Sequence, residues 1–219
     1  MAVEDYNEQE QSERVKAWLR ENGMSLVLAV VLVISGIFGW RAWLGYQDGQ
    51  QQAAAERYSL MEMELAGQDL GAARDHLDAL IDDHPRNIYA AVGALSVAGA
   101  LVQDERLEDA AELYRMVIEH RRASKLHPVA RLRLSRVLLA MDELDEAMAV
   151  LEEESPPDSY RSAWAEVRGD ILLERGEKES ARMAFQEALD HMPEDAGSPA
   201  LLQIKLDHAG GPVEDGDAS

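Results

Sequence analysis

From Asn22 to Trp40 no residue carries a charge, and ten of those positions are Leu, Ile, Val or Phe. Coiled as an α-helix, the run covers roughly 28 Å, close to the hydrocarbon thickness of a bilayer. Each large apolar residue contributes about −0.3 to −0.6 kcal/mol to insertion, which outweighs the scattered Ser and Gly. A core helix of a globular domain keeps a polar face, and this run has none. Val33-x-Ser35 and Ile34-x-Gly36 resemble small-residue cleavage sites. The preceding region nevertheless holds six acids (Glu4, Asp5, Glu8, Glu10, Glu13, Glu21) against three bases, and apolar residues continue through Ile37, Phe38 and Trp40. The reading is a retained transmembrane anchor over residues 22–43, behind an N-terminal tail of residues 1–21.

Basic residues next to the span set its direction. Arg14, Lys16 and Arg20 precede it and Arg41 alone follows within fifteen residues, so the tail is expected to stay cytoplasmic and residues 44–219 to be exported. Trp40 and Trp43 then sit at the outer interface with Arg41 snorkelling beside them. Within the span, Ser25 and Ala29, and again Ser35 and Gly39, stand one turn apart, where a neighbouring helix backbone can approach.

The exported part has 17 Lys and Arg against 36 Asp and Glu, a net charge of −19. Nucleic acid and anionic headgroups are poor partners for such a surface. Cysteine is absent, which excludes disulfides, thiolate metal sites and a cysteine nucleophile.

This part is Ala- and Leu-rich without strand alternation, and it repeats. "DLGAARDHLDAL" at Asp69, "RLEDAAELYRMV" at Arg106, "ELDEAMAVLEEE" at Glu143 and "EKESARMAFQEA" at Glu177 align on Ala73, Ala110, Ala147 and Ala181, at spacings of 37, 37 and 34 residues. That period is a helix hairpin. The fourth unit fits the tetratricopeptide pattern through Gly169, Leu172, Gly176, Ala181, Phe185, Ala188 and Pro193. Small Gly169 and Ala181 let the paired helices approach, Gly176 permits the turn, Phe185 fills space toward the next repeat and Pro193 ends the second helix. In the other units Leu77, Tyr114 and Leu151 take the large position. All seven prolines fall at predicted helix ends or outside helices. The helix "GYQDGQQQAAAERYSLMEMEL" is expected to pair with the helix of Gly71–Ile81. A capping helix is predicted over "SPALLQIKLDH", with Ser198 as N-cap and Pro199 in its first turn, to cover the last apolar face. The fold class is therefore all-α: an anchor helix, a tetratricopeptide-like solenoid over residues 44–208, and an acidic, disordered tail over residues 209–219.

Nothing in the sequence resembles a catalytic site. The six histidines (His76, His84, His120, His127, His191, His208) form no HExxH or other close ligand pair on one helical face, and no phosphate-cradling loop, nucleophile elbow or dinucleotide fingerprint occurs. Glu152-Glu153-Glu154 and Asp82-Asp83 are contiguous rather than convergent. No metal, cofactor or enzymatic activity is expected. A basic strip, Arg121, Arg122, Lys125, Arg131, Arg133 and Arg136, stands out from the acidic background, either paired locally, or docking an acidic partner or sitting near the membrane headgroups. Stacked hairpins line a concave surface with their first helices, and the register assigns Leu95, Val102, Arg136, Glu166, Asp170 and Glu174 to it. Such grooves hold extended or helical segments of other proteins.

"ENG" at Glu21, "GWRAW" at Gly39, "RLRLSRVLL" from Arg131, "EVRGDILLERGEKESARMAF" from Glu166 and the closing "LLQIKLDH" give the chain a resemblance to the YfgM-like family, ancillary subunits of the bacterial Sec translocon. The resemblance covers nearly the whole length. It implies an inner-membrane, single-pass protein with a periplasmic repeat domain. Its partners would be the SecYEG channel, a membrane-anchored periplasmic chaperone of the peptidyl-prolyl isomerase type, and newly exported chains on their way to folding factors. This chain departs from the family in being far more acidic and in its acidic extension after the capping helix. A membrane-anchored scaffold for envelope assembly, cofactor biogenesis or stress-response regulation is the alternative reading of the same residues.

Overall fold

The computed structural model describes residues 4–193 and 199–210, without the side chains of residues 4–13, 15 and 26. Among the described residues there is no strand. The helices are α1 (Glu4–Ala66), α2 (Leu70–Asp83), α3 (Ile88–Gln103), α4 (Leu107–Glu119), α5 (His127–Ala140), α6 (Leu144–Glu152), α7 (Arg161–Glu174), α8 (Lys178–Asp190) and α9 (Ala200–Ala209), with short 3-10 stretches at Arg121–Leu126 and Asp158–Tyr160. The all-helical expectation holds.

α1 runs for 63 residues without a break. Proline, which removes an N–H and clashes with the preceding turn, first occurs at Pro85, so no proline interrupts this helix. The chain divides into two compact units, one ending at Gln52 and one beginning at Ala53. In the first, the apolar run is open to its surroundings: Val27 is 58% exposed, Leu32 65% and Phe38 69%. Among the described residues, one helix is long and apolar enough to cross a membrane, and it is this one.

The second unit is built of antiparallel hairpins. α3 packs on α4, α5 on α6 and α7 on α8, and each hairpin packs on the next. The last turns of α1 join α2 through the turn at Gly67–Asp69, and Met61 and Leu77 converge on Gly93 of α3. One core cluster runs from Met61 to Ile171, and a second gathers Ala165, Phe185, Leu202 and Leu206 around the end of the stack.

The repeat register is written into the core. Ala73, Ala110, Ala147 and Ala181 are all fully buried, and so are the large residues four positions on, Leu77, Tyr114, Leu151 and Phe185, to within 2%. A Cβ on Gly169 would stand 2.5 Å from the Phe185 ring, so the absence of a side chain there is what lets the ring in. Leu172 is half-buried against both core clusters, Ala188 is fully buried, and Pro193 follows the end of α8.

Each hairpin turn has the same backbone. Gln68, Glu105 and Asp142 adopt the left-handed conformation (φ 62°, 61° and 63°) at the places equivalent to Gly176 (φ 79°). The hydrogen bonds repeat with them: Asp69 N–H to Glu64, Arg106 to Leu101, Glu143 to Leu138 and Glu177 to Leu172, each closing the six-residue loop of a Schellman cap. Only the fourth turn shows its glycine in the sequence. The other three hold a residue with a Cβ in a conformation that costs about 1–2 kcal/mol.

α9 caps the stack through Leu202 and Leu206, which are buried on the second cluster, while Leu201 and Ile204 point outward at 60% and 64% exposure. Ser198, expected as its N-cap, lies outside the described residues. Pro199, expected in the first turn, stands at the N-cap position instead, so α9 begins one residue later than the sequence suggests. Ala209 and Gly210, assigned from sequence to the tail, finish this helix instead: Ala209 is 5% exposed and packs on the core, and Gly210 (φ 126°) terminates the last turn. Residues 211–219 lie outside the described residues.

Candidate functional site

The residues assigned to the binding surface lie on the first helices of the second, third and fourth hairpins. Each of those helices turns some side chains to the core and others to the surface, so the register decides which are available. Leu95 is not among them. It is 9% exposed and belongs to the core, because its position on α3 turns it toward the interior rather than the open side. Val102 is half-buried, and Arg136 keeps half of its side chain exposed.

The charged end of the surface is already engaged from within. Lys205 of α9 reaches back to α7, with its Nζ 2.8 Å from Glu166 Oε1 and 2.7 Å from Asp170 Oδ2, and 5.9 Å above the Phe185 ring. Arg136 approaches the other oxygen of Glu166 at 3.9 Å, outside hydrogen-bond range. Burial holds the Asp170 carboxyl above its ordinary range although Lys205 pulls it down. Burial also opposes the Lys205 ammonium, but its hydrogen bonds to Asp170 and Glu166 outweigh that and raise it above the ordinary lysine value. Glu166 and Asp170 thus serve the capping helix. Glu174, at the end of α7, remains exposed.

Between α3 and α5 a cleft of about 340 Å³ opens, lined by Gly99, Val102, Gln103, Leu107, Tyr114, Arg133, Arg136, Val137 and Ala140. A Cβ added at Gly99 meets nothing within 4 Å, so the helix leaves open space at that point. Tyr114 forms the floor. Burial pushes its hydroxyl up in pKa, against the pull of the Arg133 guanidinium, which donates a hydrogen bond to it. A second cavity, at the turns of the third and fourth hairpins, is lined by Asp142, Leu144, Asp145, Arg175 and Glu177. Its one arginine is engaged from within: Arg175 donates to Asp145 at 2.6 Å and to the Leu144 carbonyl at 3.1 Å, and Asp142 and Glu177 leave the cavity acidic.

The basic strip of the sequence divides in space. Arg131 is buried and serves the fold, bonding Glu153 and standing 3.7 Å from Glu154; the Glu153 carboxyl is held below its ordinary range by that bond. Arg121, Arg122 and Lys125 are exposed on the 3-10 stretch before α5, while Arg133 and Arg136 border the cleft. On α5, Arg131 and Arg133 are two apart and point to different sides, whereas Arg133 and Arg136 are three apart and share a face. Among the described residues no group of three His, Asp or Glu side chains is arranged to hold a metal.

In the first unit, Ser35 and Gly39 are exposed, and a Cβ at Gly39 would meet nothing within 4 Å. The face they form is uncovered.

The model of the family described as "Tetratricopeptide repeat-like domain" matches residues 16–211. The chain is similar to an ancillary SecYEG translocon subunit of Escherichia coli K12, at 28% identity over 92% of this chain and 96% of that one. It is also similar to an ancillary SecYEG translocon subunit of Haemophilus influenzae, at 25% identity over 83% of this chain and 88% of that one. Among solved structures, that of Pseudomonas aeruginosa PilF superposes with a TM-score of 0.57 at 18% identity, over 74% of this chain and 69% of that one, a likeness of fold alone.

Proposed function

This chain belongs to the tetratricopeptide repeat-like domain family, and we propose that it is a non-catalytic, Sec-associated binding subunit, anchored in the inner membrane by residues 22–43 with its repeats on the periplasmic side. The observation that carries the reading is the pairing, in one chain, of an uncovered apolar helix with a hairpin stack, both within the stretch that is similar to ancillary SecYEG translocon subunits. A stack of this kind has surface on its first helices for a polypeptide segment. The Ser35 and Gly39 face offers a close-packing strip for a membrane helix of the channel. Through Val102 and Arg136 the repeats would receive exported chains or a membrane-anchored chaperone of the peptidyl-prolyl isomerase type. The excess of Arg14, Lys16 and Arg20 over Arg41 supports a cytoplasmic N-terminus.

Photoprobes placed in living cells at Ser35 and at Val102 test this reading. Crosslinks from Ser35 to the channel, and from Val102 to exported chains or a chaperone, are expected. Recovery of neither, at normal expression, overturns it. C-terminal fusions test the orientation: alkaline phosphatase is expected to be active and green fluorescent protein dark, and the reverse pattern removes the periplasmic assignment.

A further inference from the structure

We infer that the cleft between α3 and α5 selects a polypeptide segment carrying one large apolar side chain flanked by carboxylates, the apolar group entering beside Gly99 and the carboxylates meeting Arg133 and Arg136. The inference deepens the reading of the first-helix surface as the binding surface, and rests on it.

Three observations converge. The cleft, at about 340 Å³, is at the low end of ligand-sized cavities, which run about 300–1,000 Å³, so it has room for a large side chain and not for a bulky cofactor. Its lining is apolar apart from Gln103, the Tyr114 hydroxyl and the two arginines, and it contains no acid, in a chain with 42 Asp and Glu against 21 Lys and Arg. Neither arginine is spent on a close carboxylate: among the described residues Arg133 forms no ion pair, its guanidinium being shared with the Tyr114 hydroxyl at the cleft floor, and Arg136 has only the 3.9 Å approach to Glu166. Arginine presents a planar fork of donors matched to a carboxylate, and two forks beside an apolar floor specify both parts of a ligand at once.

The net charge of −21 does not forbid an acidic ligand. At physiological ionic strength the screening length is about 8 Å, so a carboxylate held at the cleft responds to Arg133 and Arg136 and far less to acids on distant hairpins. The polar cavity at the hairpin turns makes the contrast: its one arginine, Arg175, is spent on Asp145, and Asp142 and Glu177 leave it with an excess of acid.

Short fluorescein-labelled peptides test the inference on the full-length protein in mild detergent. One carries a leucine between glutamates, a second an alanine in its place, and a third the same leucine between lysines. The first is expected to bind at least about tenfold more tightly than either of the others, a margin that one lost charged or apolar anchor accounts for. In Arg133→Gln/Arg136→Gln that margin over the lysine peptide disappears. Gly99→Leu, whose Cβ has nothing within 4 Å and whose branches enter the cleft, reduces binding of the first peptide by about tenfold or more while helix content stays unchanged. Equal binding of the three peptides, no binding of any, or retention of full affinity in both variants overturns the inference, as does a finding that Gly99→Leu acts only by dissociating a second copy of the chain. Co-purification of SecYEG with the wild-type protein is read separately. If the channel is recovered and the peptides fail, only the cleft assignment falls; if the peptides discriminate and the channel is never recovered, the cleft stands and the translocon reading falls.

Discussion

The first and fourth hairpins of this molecule fill the same hole in different ways. At the two facing positions the first uses Met61 and Leu77, and the fourth uses Gly169 and Phe185; all four are buried, and Met61, Leu77 and Phe185 have no exposed surface at all. The intermediate hairpins continue the exchange with Ala98 and Tyr114, then Ser135 and Leu151. What the repeat conserves is therefore a filled volume between two helices rather than a residue. The way it is divided has consequences: a thioether side chain adapts to a change beside it, whereas a glycine has nothing to move.

The largest expected effect breaks this comparison at its rigid end. Phe185→Ala is expected to cost about 3–5 kcal/mol, because Gly169 supplies no side chain to collapse into the space. Leu77→Ala should cost about 2 kcal/mol, at the low end for such changes, since flexible Met61 relaxes toward it. Urea denaturation of the full-length protein, followed by its helix signal, measures both. Equal losses would mean that local collapse is unimportant here. Next in size, Gly169→Ala forces a Cβ to within 2.5 Å of the Phe185 ring and is expected to cost about 1–3 kcal/mol. Adding Phe185→Leu to it should recover part of the loss, a coupling that a double-mutant cycle reads directly.

A third test separates the ends of the stack by charge. Lys205 joins α9 to Glu166 and Asp170, and its removal in Lys205→Met is expected to cost about 2 kcal/mol, leaving two carboxylates side by side without their shared cation. The folded pKa of Lys205 lies above the ordinary 10.5, so its contribution is complete below that value and is lost as the pH rises through the higher folded value. Wild-type protein should lose stability in that alkaline window, and the Met variant should lose less. The smallest effects lie in the turns. Gln68→Gly and Glu105→Gly are each expected to add about 0.5–1 kcal/mol by relieving a left-handed backbone, and Asp142→Gly less, because aspartate tolerates that conformation better. Thermal melting that shows no gain at any of the three would mean that the surrounding hydrogen bonds remove the strain.

The legible parts of the sequence are those set by short-range order. Ala73, Ala110, Ala147 and Ala181 gave the period because a helix hairpin places one small residue in each close approach, and every one of them is buried. The turn at Gly176 was readable because glycine is the default left-handed residue. The same turns at Gln68, Glu105 and Asp142 were not, since their side chains give little sign of a positive φ. Leu95 was misplaced by register alone: a small rotation of α3 moves a leucine from a groove to the core.

By itself the sequence determined an uncharged helix of bilayer length, an all-helical repeat and a cysteine-free, acidic exterior, because each follows from the identity and spacing of neighbours along one chain. Only the tertiary structure decided that Lys205 would occupy Glu166 and Asp170, 39 and 35 residues away, and that Arg133 and Arg136 would be left to border an acid-free cleft. Those outcomes depend on how far each hairpin rotates against the next, which is settled by packing volume across the interface and is carried by no local stretch of residues.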